Sequence, residues 1–349
     1  FNLGNYEKFS KISRHQVNKN ILYKDQKLFF SDKKGNIGVF SIADNKELFK
    51  YNFYKKKFKN MEKKINLIIK DNFLIAADNF GYLYCIDFIE KKIVWAKNYR
   101  IPFRSNLKIL GNNLFIVDEQ NKIIKINLIT GDKLDEIYTQ PSKTVSSYNS
   151  NLSIDNDNNI VVLTTNGTLY SLNLLNKKII NWILNFKSDD EITFQAKPII
   201  ITNNDILITT NNKISVISTN GKKKWEKELS INVNPVISGK YILLITENNY
   251  LMLIDKNTGD IIHSKNIFKM MQIESNKKYS KKIKKFDHIY VIKNKILAIS
   301  SSYFIELTLG KKINVSSIRK NPFDILSDII FYENNLLLVS DNNRIFKVN

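Results

Sequence analysis

The chain has 349 residues, 43% hydrophobic and 25% charged, which is typical of a folded protein, and no run of 18 apolar residues that would predict a transmembrane helix. Its single cysteine, Cys85, excludes an internal disulfide and stands at an apolar strand position, which favours a buried side chain over a nucleophile. The net charge of +21 would suit polyanions, but only five of the 54 basic residues are arginine, the side chain that nucleic-acid sites favour. We therefore expect a solvated basic surface and no nucleic-acid partner, and keep polyanion binding as an alternative.

From about residue 20 onward, the predicted elements form a repeat. Residues 72–99 and 159–186 show it most clearly: an apolar strand, a polar turn, an alternating strand, a second polar turn and a strand that carries Trp95 or Trp182. Alternating apolar residues between turn residues are typical of antiparallel strands. The inner turns recur near Gly35, Gly81, Asn121, Gly167, Asn212, Asn249, Ser302 and Asn343. Four short strands in each period of roughly 44 residues predict a propeller blade.

The two ends of the sequence complement each other. The last unit, residues 329–348, has only three predicted strands, whereas residues 6–17 precede the first unit and have no blade of their own. If the N-terminal strand completes the last blade, no sheet edge is left open. We therefore predict one all-β domain over residues 1–349, a β-propeller of eight four-stranded blades closed by residues 1–19.

One segment interrupts the repeat. Residues 268–287, beginning FKMMQIESNKKYSKKIKKF, form the longest non-repeat piece and the most basic one. Two interpretations stay open. The segment could form a short amphipathic helix with Ile273, Tyr279 and Ile283 partly on one side, or it could be a mobile loop. In either form it could contact a membrane or a partner.

The outer turns carry a motif of strand, Asp, Gly, Lys and Trp. Each of three segments carries a part of it: IDFIEKKIVW at residues 86–95, ISTNGKKKW at 217–225 and IDKNTGDIIHS at 254–264. This motif resembles the repeat of pyrroloquinoline-quinone-type propellers over about residues 20–349. The Trp-Asp pairs of WD40 repeats and the paired glycines of kelch repeats are absent from the sequence.

Within that superfamily, the length, the eight units and the lack of extra domains are similar to the BamB-type lipoprotein of the bacterial β-barrel assembly machinery. The resemblance implies a non-enzymatic, monomeric scaffold at the periplasmic face of the outer membrane, which docks the POTRA region of the barrel-forming subunit. The family's lipidated N-terminal cysteine has no counterpart at Phe1, so a membrane anchor would have to precede this sequence.

The alternative within the superfamily is a quinone-dependent dehydrogenase or its inactive relative. Such an enzyme needs oxygen ligands for calcium and a carboxylate base, and it commonly carries an adjacent cysteine pair. Most carboxylates here stand in turns, where local hydrogen bonds explain them, and the acidic residues 189–191 suit a solvated loop. His15, His263 and His288 fall in different predicted blades. The sequence therefore predicts no catalytic residues, cofactor or metal.

The candidate docking residues come from the resemblance. In the loop of residues 188–197 (SDDEITFQAK), Ile192 and Phe194 match the family's apolar pair, and Gln195 stands where the family has a basic residue. Two large apolar side chains in a polar loop either bind a partner or pack beneath the loop, and the sequence leaves both interpretations open.

The next equivalent loop, residues 230–235, supplies the remaining candidates. Ser230 and Asn232 stand at positions where the family carries acidic residues. The resemblance thus implies a docking surface made by two neighbouring loops, with shape and backbone pairing in place of the family's charged contacts.

Overall fold

The computed structural model describes most of the chain. The described residues are 5–54, 58, 60–141, 149–173, 179–187, 194–273, 279, 282–309, 313–333 and 335–348. They form 32 strands and one named helix, and the strands assemble into eight four-stranded sheets. Each sheet is called a blade here, numbered in chain order, and the predicted all-β propeller fold of eight blades is confirmed.

The residues group into two compact units. The first comprises Phe1–Leu152, Val162–Thr168 and Ile325–Asn349. It holds blade 1 (β2 Leu22–Lys24, β3 Lys27–Ser31, β4 Asn36–Ser41, β5 Lys46–Asn52), blade 2 (β6 Ile65–Lys70, β7 Phe73–Asp78, β8 Tyr82–Asp87, β9 Lys92–Asn98), blade 3 (β10 Lys108–Leu110, β11 Asn113–Val117, β12 Ile123–Asn127, β13 Lys133–Ile137) and blade 8 (β1 Tyr6–Lys11, β30 Ile330–Tyr332, β31 Asn335–Val339, β32 Arg344–Val348).

The second unit comprises Ser153–Val161 and Leu169–Asp324. It holds blade 5 (β18 Ile200–Ile201, β19 Asp205–Thr209, β20 Lys213–Ser218, β21 Lys223–Glu228), blade 6 (β22 Val236–Ser238, β23 Tyr241–Ile245, β24 Tyr250–Asp255, β25 Ile261–Asn266), helix α1 (Ile267–Ile273) and blade 7 (β26 His288–Ile292, β27 Lys295–Ser300, β28 Tyr303–Thr308, β29 Asn314–Lys320). Blade 4 (β14 Asn151–Ile154, β15 Asn159–Leu163, β16 Thr168–Asn173, β17 Ile179–Asn185) contributes residues to both units.

The middle two strands of the blades carry most of the core. In blade 1, four of the five residues of β3 are buried and five of the six in β4, whereas β5 alternates between exposed and partly buried positions. The apolar side chains of neighbouring sheets pack together, as Leu207, Ile214, Ile242 and Ile254 do in blades 5 and 6. The alternating pattern in the sequence predicts this arrangement because successive strand residues point to opposite faces of a sheet.

Three tryptophans on the fourth strands of blades 2, 4 and 5 each join their blade to the next one. The indole N–H groups of Trp95, Trp182 and Trp225 donate to the backbone oxygens of Leu128, Thr219 and Lys256 at 3.0, 2.9 and 2.7 Å. Each ring lies over a glycine of the neighbouring outer turn. These glycines are Gly131, Gly221 and Gly259. The Gly and Trp of the sequence motif are therefore the two halves of one contact.

The predicted closure is confirmed within the first unit. Strand β1 pairs antiparallel with β32, from Tyr6 opposite Val348 to Lys11 opposite Arg344. Phe9 of β1 is buried in a core cluster with residues of blades 1 and 8. The prediction of a single domain over residues 1–349 stays a prediction.

The basic insertion begins with a short helix. Helix α1 ends at Ile273, so Tyr279 and Ile283 lie beyond it. The choice between an amphipathic helix and a mobile loop for the whole segment stays a prediction. Ile283 is buried in the core cluster of blades 6 and 7, and Tyr279 packs against that cluster. The insertion is therefore attached to the fold on both sides of residues 274–278, which lie outside the described part of the chain.

Candidate functional site

The candidate site lies at one end of the strands of blades 5 and 6. In an antiparallel meander, the loop that enters the first strand and the turn between the second and third strands lie at the same end. In blade 6 these are residues 229–235 and 246–249. Isolated bridges pair Ala196 with Thr210 in blade 5 and Ile231 with Thr246 in blade 6, so both entering loops are tied to the sheets they precede.

Backbone hydrogen bonds hold both loops. The amide of Lys197 donates to the oxygen of Thr209 at 2.8 Å, and the amide of Asn232 donates to the oxygen of Ile245 at 3.0 Å. The amide of Glu247 in turn donates to the oxygen of Ser230 at 2.9 Å. The backbone at Lys197, Ser230 and Asn232 is therefore fixed before any partner arrives, which lowers the entropic cost of binding.

The predicted residues differ in exposure. Gln195 and Ser230 are exposed, Asn232 is partly buried, and Phe194 is only 4% exposed. The burial of Phe194 favours the interpretation in which it packs beneath the loop. Ile192 lies outside the described residues.

Lys197 joins the two loops. The family resemblance did not identify Lys197 as a site residue. Its ammonium group donates a 2.9 Å hydrogen bond to the backbone oxygen of Asn232. Burial lowers the pKa of Lys197, and the nearby charge of Glu247 partly opposes that shift. Lys197 follows Gln195 by two positions, and residues two apart share one face of an extended segment. That spacing is the signal that could have placed a basic residue here.

A third segment reaches the same place. The side-chain amide of Asn232 donates to the backbone oxygen of Phe286 at 2.7 Å, at the end of the basic insertion. Val233, the next residue, is buried in one cluster with Phe286. The structure thus brings together the loops of blades 5 and 6 and the insertion. Asn232 and Phe286 are 54 positions apart, and no sequence pattern predicts their contact.

The carboxylates of the inner turns bind their own backbone, as expected. Asp32 Oδ1 accepts the amides of Lys34 and Asn36 at 2.9 and 3.0 Å. Asp78 and Asp118 accept two amides each at the equivalent places. Such turns are stabilised by the side chain of their first residue, so these carboxylates have a structural role.

Other reactive groups stand apart. Burial raises the pKa of the Cys85 thiol to about 12, so it stays protonated at neutral pH. His263 lies on β25 and His288 on β26, while His15 is exposed near the N terminus. Across the described ranges, no three His, Cys, Asp or Glu side chains are grouped as a metal site requires, and the acidic residues 189–191 lie outside those ranges. In the same ranges, no helix is both long and apolar enough to cross a membrane.

Comparison with solved structures finds the same architecture at low sequence identity. BamB from Moraxella catarrhalis is 11% identical, with a TM-score of 0.71 over 97% of this chain and 98% of that one. The computationally designed Ika8 protein is 10% identical, with a TM-score of 0.70 over 98% of both chains. Sqt1 from Saccharomyces cerevisiae is 9% identical, with a TM-score of 0.71 over 97% of both. At these identities the likeness shows the fold alone.

The sequence itself identifies the family. No curated protein matches the chain. The family model of the outer membrane protein assembly factor BamB matches residues 33–265, about two thirds of the chain and most of its repeats. This match agrees with the resemblance carried by the Asp, Gly and Trp motif, and the chain therefore belongs to the BamB family.

Proposed function

We propose that this protein is a non-enzymatic scaffold of outer-membrane β-barrel protein assembly, which docks the POTRA region of the barrel-forming subunit. The family match over residues 33–265 carries the proposal. In this proposal the protein acts at the periplasmic face of the outer membrane, as a monomer with the barrel-forming subunit as its partner.

The docking surface of this proposal consists of residues 195–197, Ser230 and Asn232. Phe194 supports this surface from below, since it is buried, and Ile192 is assigned to it by the family resemblance. The hydrogen bond from Lys197 to the backbone of Asn232 supports the proposal because it makes the two loops one rigid surface. A preformed surface with exposed polar side chains over a buried aromatic residue is suited to a protein partner.

A binding experiment tests the docking surface. Gln195→Tyr and Ser230→Tyr together place bulk on the exposed loops without touching the core. The matched control is Asn203→Tyr with Asn257→Tyr, two exposed asparagines in hairpin turns at the other end of blades 5 and 6. We expect the first pair to weaken binding of the purified POTRA region at least about tenfold, equivalent to about 1.4 kcal/mol, and the control to leave it unchanged. Equal binding by both pairs would remove the surface from the proposal.

The non-enzymatic part of the proposal has its own test. Titration with pyrroloquinoline quinone and Ca²⁺, followed by quinone absorbance, separates a scaffold from the dehydrogenase alternative. We expect no saturable change in the spectrum. A stoichiometric, calcium-dependent shift of the quinone spectrum would show that the protein binds the cofactor and would contradict the non-enzymatic proposal.

A further inference from the structure

The described part of the insertion between blades 6 and 7 is a charged surface beside the candidate docking loops. We call residues 267–273, 279 and 282–287 the basic arm. These 14 residues contain four lysines and one acidic residue, a net charge of +3. The BamB family model ends at residue 265, before the arm begins.

The arm is anchored by its apolar side chains. Ile267, Met270, Met271, Ile283 and Phe286 are all buried in the core cluster of blades 6 and 7. Because these side chains come from both ends of the arm, its described residues have defined positions on the surface of the second unit. The exposed residues between them are mainly lysines.

The arm meets the docking loops directly. Asn232 donates its side-chain amide to the backbone oxygen of Phe286, and Val233 packs in the arm's own cluster. Lys282 precedes Phe286 by four residues, so their Cα atoms are at most about 14 Å apart. The exposed Lys282 and Lys284 therefore lie close enough to Asn232 to contact a partner that covers the loops.

The charge of the arm is largely unbalanced. Lys285 forms an exposed ion pair with Asp287 at 3.5 Å. Lys269, Lys282 and Lys284 are exposed, and their ammonium groups pair with no carboxylate of the described chain. The Cα atoms of Lys282 and Lys284 are at most about 7 Å apart, less than the Debye length of about 8–10 Å at physiological salt, so these two charges repel each other and favour an acidic ligand.

We propose that the basic arm binds an acidic segment of the docked protein partner and accelerates its association. This inference rests on the docking function proposed above. A protein segment suits the arm better than a lipid surface because a membrane-binding helix exposes its apolar side chains, whereas Met270, Met271, Ile283 and Phe286 are buried. Lysines on exposed positions supply long-range attraction, which acts mainly on the association rate.

The test measures association of the POTRA region with the full chain. The arm variant is K269Q/K282Q/K284Q, which keeps every buried residue of the arm. The control variant, K222Q/K240Q/K293Q, removes the same charge from exposed lysines in hairpin turns of blades 5, 6 and 7, at the opposite end of those strands. At about 0.1 M salt we expect the arm variant to associate about tenfold more slowly and the control within twofold of the wild type. The difference should shrink as salt rises.

The outcomes separate the two proposals. A wild-type chain that does not bind the POTRA region overturns the docking function, and with it the partner named here. A wild-type chain that binds, with an arm variant that associates equally fast, overturns the role of the arm and leaves docking intact. Vesicles of phosphatidylglycerol and phosphatidylcholine serve as the lipid control. If they bind the wild type and not the arm variant, while POTRA association is unchanged, the arm is a lipid contact and the inference is wrong.

Discussion

Trp225 occupies the space that a side chain on Gly259 would need. An ideal Cβ on Gly259 would lie 2.7 Å from Cδ2 of the indole, and the backbone at this glycine has a φ of +79°. The indole N–H also donates to Lys256 in the same turn. Two independent requirements, close approach and left-handed backbone, thus select glycine at this position.

Gly259→Ala should therefore destabilise the protein by about 3 kcal/mol, since the backbone penalty of about 1–2 kcal/mol adds to overpacking against the tryptophan. Gly239→Ala is the matched control. Gly239 has a φ of +59° but open space around its Cβ position, so only the backbone penalty applies. Chemical denaturation checks both, and equal losses would show that the indole yields without cost. In a chain that already carries Trp225→Ala, Gly259→Ala should cost only the backbone penalty, because there is no indole left to overpack.

The carboxylate of Asp205 should stabilise the fold through two lysines. Lys224 and Lys256 approach its two oxygens at 2.6 and 2.8 Å, and the residue is almost fully buried. Burial acts to raise the pKa of Asp205, but the hydrogen bonds from the two lysines outweigh it, so the pKa lies below its usual value. We expect Asp205→Asn to cost about 2–3 kcal/mol at pH 7.

The pH dependence of that loss checks its electrostatic origin. A group whose folded pKa is depressed contributes its stability above the unfolded pKa of about 3.9 and loses it as pH falls through the folded value. The difference in unfolding free energy between wild type and Asp205→Asn should be constant from pH 7 to about pH 5 and shrink below about pH 4. A difference that does not change with pH would assign the loss to packing.

Asp118 should behave in the opposite sense. Its Oδ1 accepts the amides of Gln120 and Lys122, but Oδ2 is buried without a hydrogen bond, and the nearest ammonium group, that of Lys122, is 4.0 Å away. Burial raises the pKa of Asp118. Asp118→Asn keeps the acceptor for both amides and removes the buried charge, so it should stabilise the protein by about 1 kcal/mol at pH 7. Asp118→Ala, which removes both acceptors, should destabilise it by about 2 kcal/mol.

The gain from Asp118→Asn should depend on pH. A carboxyl group whose folded pKa is raised contributes its full stability below the unfolded pKa of about 3.9, and this is lost as pH rises through the folded value. The advantage of the asparagine variant should therefore be small near pH 4 and grow toward pH 7. An equal difference in unfolding free energy between wild type and Asp118→Asn at pH 4 and pH 7 would contradict a cost from burying the charged carboxylate.

The strand that completes blade 8 should carry a large share of stability for its length. Phe9 is 6% exposed and packs with residues from blades 1 and 8, so Phe9→Ala should cost about 3–4 kcal/mol. Lys8→Ala, at the neighbouring exposed position, is the control and should be nearly neutral. Equal, small losses in equilibrium denaturation would mean that β1 pairs with β32 without supporting the core.

Much of the fold could be predicted because its signals are local. The turn at Asn220 and Gly221 and the tryptophan at 225 lie within one period of the repeat, and alternation identifies each strand. The missing fourth strand of the last unit predicts, by elimination, that residues 6–17 complete its blade. These inferences need only the pattern of one unit and the requirement that no edge stay open.

The site depends on contacts that the pattern does not contain. Lys197, Asn232 and Phe286 stand in the segments that precede three different blades. Their hydrogen bonds form only when these blades lie side by side. Asp205 likewise finds its lysines 19 and 51 residues later. Such pairings depend on the geometry between neighbouring sheets, and a single sequence gives no covariation from which to infer them.

The pairing of β1 with β32 also makes the fold sensitive to whether the chain is complete. Strand β1 is synthesised before the other three strands of its sheet, so β1 has no partner until residues 330–348 exist. A chain that ends before these residues leaves the hydrogen-bonding edge of β1 and the ring of Phe9 exposed, which are features that promote aggregation and recognition by chaperones. The loss of the last strands is therefore expected to expose a segment more than 300 residues away in sequence.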